Sequence, residues 1–141
     1  MNCPECGAPE SICEARYHEC LVKEFSDPGY GAVHHLTVAT FMLQHSSKLT
    51  KEGWLYEREL LRAFLVENKP PEVIRKQNRV AVDSGRRDWK IADRNGTAKI
   101  DRTTWTCTVL DVRFGSAEEY CADVKAWAAT TLHDAEGLSV N

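Results

Sequence analysis

The residues best suited to chemistry stand at the very start. Cys3, Cys6, Cys13 and Cys20 all fall in the opening "MNCPECGAPESICEARYHEC", the first two as Cys3-Pro-Glu-Cys6-Gly. Zinc takes thiolate and imidazole ligands in a tetrahedron, and a Cys-x-x-Cys turn presents two sulfurs where backbone amides offset their charge. Gly7, directly after Cys6, frees the turn from side-chain clashes. The competing chemistry is a redox pair, but such pairs sit between a strand and a helix, and no strand precedes Cys3. The pattern therefore points to metal.

Two further ligands must come from Cys13, His18, Cys20, His34, His35 or His45. Cys13 is close to the turn and easily brought to it. Cys20 falls on an apolar helical face with Tyr17 and Leu21 and reads as a small core residue. His34 and His45 lie eleven positions apart, on one helix face but about 16 Å apart along the axis, so they cannot share an ion. His34 follows a turn and is the better placed of the two for an N-terminal loop. His35 points about 100° away from it, and His18, His35 and Cys20 stay open as the fourth ligand.

The elements that must position these groups follow from periodicity. Residues 13–25 read as a short helix, stopped by Ser26-Asp27-Pro28-Gly29. "GAVHHLTVATFMLQH" is apolar or small from Ala32 to Leu43 and reads as the central helix. Thr50 caps an amphipathic helix, "WLYERELLRAFLVE", which Asn68-Lys69-Pro70-Pro71 ends before another helix carrying Val73, Ile74 and Val80. Asn95-Gly96 is a hairpin signal that would set Ile91 opposite Ile100, ahead of the short apolar run "TCTVLDV". Ser116, with Glu119 three residues on, caps a final helix through Leu132. The expectation is a mainly α, small helical domain with a short β hairpin and an N-terminal zinc knuckle. Its parts are a cysteine-rich opening and first helix over 1–25, central helices over 30–82, a hairpin and extended segment over 84–110, and a C-terminal helix over 116–134.

Composition bounds the function. At 141 residues with 43% hydrophobic and 28% charged side chains, the chain suits one folded domain. A net charge of −3 gives no global pull toward nucleic acid or anionic membrane. No apolar run reaches the ~20 residues of a membrane helix, and the start lacks the pattern of a signal peptide. A cytoplasmic location is expected, where thiols stay reduced and the six cysteines serve as ligands or core residues rather than disulfides.

The CPxCG opening, the cysteine before a helix, and "YGAVHHLTVATFMLQH", with "VDSGRRDWK" and "TVLDV…YCADVKAWA" later, resemble a bacterial family of unknown function, DUF5946. The resemblance implies Cys3, Cys6, Cys13 and His34 as the ligand set, and Gln44 and His45 as a recurrent pair. Many members carry arginine at the place of His35, an acidic residue near Thr40, and an aliphatic residue where Cys20 stands.

Three cysteines and one histidine form a closed site, which favours a structural ion. A separate catalytic site would use His45 and Gln44, with Glu24, Asp83 or Arg86 nearby. Alternatively, His45 only satisfies carbonyls at a helix end. Residues 75–102 hold nine Lys or Arg against four Asp, so Arg75, Lys76, Arg79, Arg86, Arg87 and Lys90 are candidates for nucleic-acid contact or for a solvated face. Trp54, Trp89, Trp105 and Trp127 read as core anchors, and Cys107 and Cys121 as inert small hydrophobes. The reading favoured is a cytoplasmic zinc protein with a protein-binding or regulatory role. A His45-based or metal-dependent hydrolase and a nucleic-acid binder are the alternatives.

Overall fold

A computed structural model describes residues 2–73, 97–100 and 105–140. Its frame is helical: α1 Ile12–Ser26, a one-turn α2 Pro28–Gly31, α3 His34–Gln44, α4 Lys51–Leu65 and α5 Ala117–Glu136. Short 3-10 turns stand at Ser46–Lys48 and Val109–Asp111. α3 lies at the centre, packed on α4 and α5 and also touching α1, while α2 bridges α1 and α5. Its buried side chains, from Leu36 to Gln44, spread round most of the helix, as its apolar sequence requires.

The helix ends follow local chemistry. The Thr50 hydroxyl accepts from the Gly53 N–H at 3.0 Å and starts α4. Ser116 accepts from the Glu119 N–H at 3.2 Å and starts α5, as the cap pattern predicts. The helix read from Ala32 opens at His34, and the stretch read as a turn before it holds one helical turn of its own. Asp27 accepts from the Gly29 N–H at 2.9 Å and Pro28 begins α2, so the chain completes a separate turn before α3 opens at His34. Gly31 allows this turn to press on α1, because a Cβ there would meet the Glu24 carbonyl oxygen at 2.6 Å. In "TCTVLDV" the chain turns rather than extends. Thr108 and Asp111 cap each other's backbone around Val109–Asp111.

One apolar core joins these elements, with Trp54, Trp127, Tyr120, Phe41 and Leu61 fully buried and Trp105 close behind. Cys20 is wholly buried within it, and Cys107 and Cys121 pack at its edge. Among the described residues, β structure is limited to isolated bridge positions, with Asn2 paired to Pro9 and Ile100 to Val140 in antiparallel sense. No hairpin occurs there. The expected Asn95-Gly96 turn, Ile91 and Trp89 lie outside the described residues, as do Ile74 and Val80 of the expected helix, and Arg75, Lys76, Arg79, Arg86, Arg87, Lys90 and Asp83. No described helix is long and apolar enough to cross a membrane.

Candidate metal centre

The opening turn is built as its sequence suggests. The Cys3 N–H donates to the Ala8 carbonyl at 2.6 Å and the Gly7 N–H to the Cys3 carbonyl at 2.9 Å. Gly7 sits at φ +88°, in the left-handed region that favours glycine, so the motif's last residue is there for its backbone. Glu5 anchors the turn from outside. Its carboxylate accepts from the Ser47 N–H and hydroxyl at 2.8 and 2.9 Å, and its carbonyl accepts from the Trp105 indole at 3.0 Å.

The turn thus docks at the C-terminal end of α3. Cys3, Cys6, Cys13 and His45 are all buried, and one ligand atom from each lies within 4.8 Å of the others. All six cysteines of the chain are free thiols. The fourth member is His45, where His34 was expected. His34 instead places Nδ1 2.8 Å from a Glu24 carboxylate oxygen, at the other end of α3.

Helix geometry accounts for the exchange. α1 and α3 run antiparallel, and their contacts step evenly away from the turn between them. Glu24 meets His34; seven residues back, Tyr17 stacks on Phe41 at 3.8 Å; four further, Cys13 meets His45. The start of α1 therefore faces the end of α3. The other candidates are elsewhere: His18 is exposed on α1, His35 packs edge-on against Phe64 at 4.4 Å, and Cys20 lies in the core.

His45 is set up by its two nitrogens. α3 ends at Gln44, and the backbone N–H of His45 turns back to the Met42 carbonyl at 3.1 Å. This leaves the Phe41 carbonyl to the imidazole, whose Nδ1–H donates to it at 2.8 Å. The bond fixes the tautomer and leaves Nε2 as an acceptor, buried and without a hydrogen-bond partner. The ring also stacks on Phe41 at 3.9 Å. Burial holds the imidazole below its ordinary range despite the Phe41 carbonyl, so it is neutral at pH 7.

Gln44 is equally committed, but to packing. Its amide N–H groups donate to the Cys107 carbonyl and the Thr131 hydroxyl at 2.7 and 3.0 Å, and its oxygen accepts from the Trp127 indole at 3.3 Å. With Trp54 donating to the Leu43 carbonyl at 3.0 Å, the end of α3 is held by side chains on every side.

The thiols compete for ionisation. Burial would raise Cys3, but the backbone N–H groups of Cys6 and Glu5 and the neighbouring thiols outweigh it and bring Cys3 below the ordinary thiol range. Burial and the nearby sulfurs push Cys6 up to about 12, although the Ala8 N–H pulls the other way, and burial with the Cys3 charge raises Cys13. The three sulfurs can ionise together only with a cation between them. With Zn–S near 2.3 Å and Zn–N near 2.0 Å, tetrahedral donors stand roughly 3.5–3.8 Å apart. A cluster within 4.8 Å fits one such ion with small side-chain adjustment.

A second polar cluster lies at the other end of the α1–α3 pair. Buried Glu24 takes His34 at 2.8 Å, the Thr37 hydroxyl at 2.6 Å and the Tyr120 hydroxyl at 2.5 Å. Burial, the Glu24 carboxylate and Cys20 together hold the Tyr120 hydroxyl far above the usual phenol range, so it remains a donor. No single stretch of sequence signals this cluster, because its members come from three helices.

No curated protein and no solved structure matches the chain. The sequence matches the model of the Family of unknown function (DUF5946) over residues 1–136, and the chain belongs to that family.

Proposed function

We propose that this is a zinc-binding protein in which Cys3, Cys6, Cys13 and His45 hold one structural ion. The observation that carries the reading is the buried His45 Nε2, unpartnered and beside three sulfurs, with its tautomer fixed by the Phe41 carbonyl. A buried acceptor without a donor is costly, and coordination removes that cost. Four protein donors leave no open position for substrate, which favours a structural role. The hydrolase alternative is weakened by the same geometry. Nδ1 of His45 meets a backbone carbonyl rather than a carboxylate, and Gln44 is occupied by Cys107, Thr131 and Trp127.

Elemental analysis of purified variants tests this. Wild type and His34→Ala should each carry one zinc per chain, and His45→Ala and Cys13→Ser should carry little or none. A His45→Ala protein that keeps its zinc while His34→Ala loses it would sink the assignment.

For the process we carry a protein-binding or regulatory role in the cytoplasm. It is supported by Val22 and Phe25 of α1, which are 69% and 75% exposed. A protein partner docking there should be lost with Val22→Glu/Phe25→Glu, read by co-purification of that partner at unchanged zinc content. Equal recovery with both proteins would count against the surface.

A further inference from the structure

The three sulfurs of the cluster differ in their access to solvent. Cys3 and Cys13, with Phe41, His45 and Glu10, line a cleft of about 210 Å³, while Cys6 is outside that lining and only 2% exposed. They also differ in backbone freedom. Cys13 is fixed in the first turn of α1, whereas Cys3 and Cys6 share one short turn closed by the Gly7 N–H on the Cys3 carbonyl. A bond between Cys3 and Cys6 closes within that one turn, while a bond to Cys13 would tie the turn to α1.

We propose that Cys3 and Cys6 are a peroxide-sensitive pair that opens the metal site, an inference that rests on the zinc reading above. The Cys3 thiolate, at the cleft, attacks one oxygen of hydrogen peroxide. The O–O bond breaks, hydroxide leaves, and Cys3 becomes a sulfenic acid. The Cys6 thiolate then attacks that sulfur, the S–O bond breaks with loss of a second hydroxide, and the Cys3–Cys6 disulfide forms. The two sulfurs give up two electrons in all, and both peroxide oxygens leave as hydroxide and take up protons to become water. Cys13 and His45 remain, half the donors that zinc requires, so the ion is released. Attack by an external dithiol reverses the bond and restores both donors.

The test uses the full chain loaded with one zinc, beside the variant Cys20→Ala/Cys107→Ala/Cys121→Ala, which keeps only the three cluster thiols. Each is treated with hydrogen peroxide, zinc release is followed with a chromogenic chelator, and cysteines are mapped by mass spectrometry. The expected result is release of the whole zinc complement from both, a Cys3–Cys6 disulfide, and zinc rebinding after dithiothreitol. Zinc retained through excess peroxide, a disulfide to Cys13, or release with Cys3 or Cys6 carried on to sulfinic acid would overturn the inference. If the variant does not fold, wild type alone decides by the same map. A chain that holds no zinc at the outset defeats the zinc reading, and this inference with it, before peroxide is added.

Discussion

Single side chains at both ends of α3 do two tasks at once. His45 closes the helix with one nitrogen, as the helix-end reading from sequence has it, and turns the other to the sulfurs. Glu24 is the counterpart at the far end, a carboxylate with no exposed surface that is held by His34, Thr37 and Tyr120. Hydrogen bonds to buried charges are worth about 1.5–3 kcal/mol. Tyr120→Phe removes one of the donors with little change in volume. It should lower unfolding free energy in urea by roughly 2 kcal/mol and leave zinc content unchanged. A loss below about 0.5 kcal/mol would mean that Tyr120 contributes packing alone. The Cys3, Cys6 and Cys13 part of the cluster was legible from spacing because the three stand close together in sequence. Glu24 and Tyr120 stand 96 positions apart, and no pattern within one element links them.

The α1–α3 pair shows where element-level reading stopped short. The existence of α1, α3, α4 and α5 follows from apolar periodicity and from Thr50 and Ser116 as caps, since those signals are local. Two helices joined by a tight turn are antiparallel, which already sets the beginning of the first beside the end of the second. His34 was favoured because it follows a turn at the start of its helix; His45 is nearer to Cys13 in space because the chain doubles back. The start of α3 at His34 was hidden as well, because Ala32 and Val33 are apolar whether or not they are helical. Gly31 is the pivot of this pairing. Gly31→Ala forces a methyl group toward the Glu24 carbonyl, so it should destabilise the protein by about 1–3 kcal/mol. Zinc content should remain full, since the cluster lies at the opposite end of the pair. Full stability in Gly31→Ala, measured by thermal unfolding, would mean that the turn adapts freely.

Across the whole molecule, the opening turn adds only small side chains to the core, Cys3, Cys6 and Ala8. Glu5 hydrogen bonds and the Cys13–His45 cluster join it to the rest, so the binding energy of an ion there would become folding energy. An ion bound at about 1,000 times its dissociation constant adds roughly 4 kcal/mol. For a chain of this size that corresponds to a fall in Tm on the order of 10 °C when a strong chelator removes it. The same chelator should have almost no effect on His45→Ala, and an equal fall in both proteins would dissociate stability from the site. The indole N–H of Trp105 on the Glu5 carbonyl has a consequence of its own. That ring comes from a hundred residues downstream, yet it is bonded to the middle of the Cys-Pro-Glu-Cys turn, so its fluorescence should change as the turn loosens. The protein carries its own optical gauge of whether the N-terminal clasp is shut.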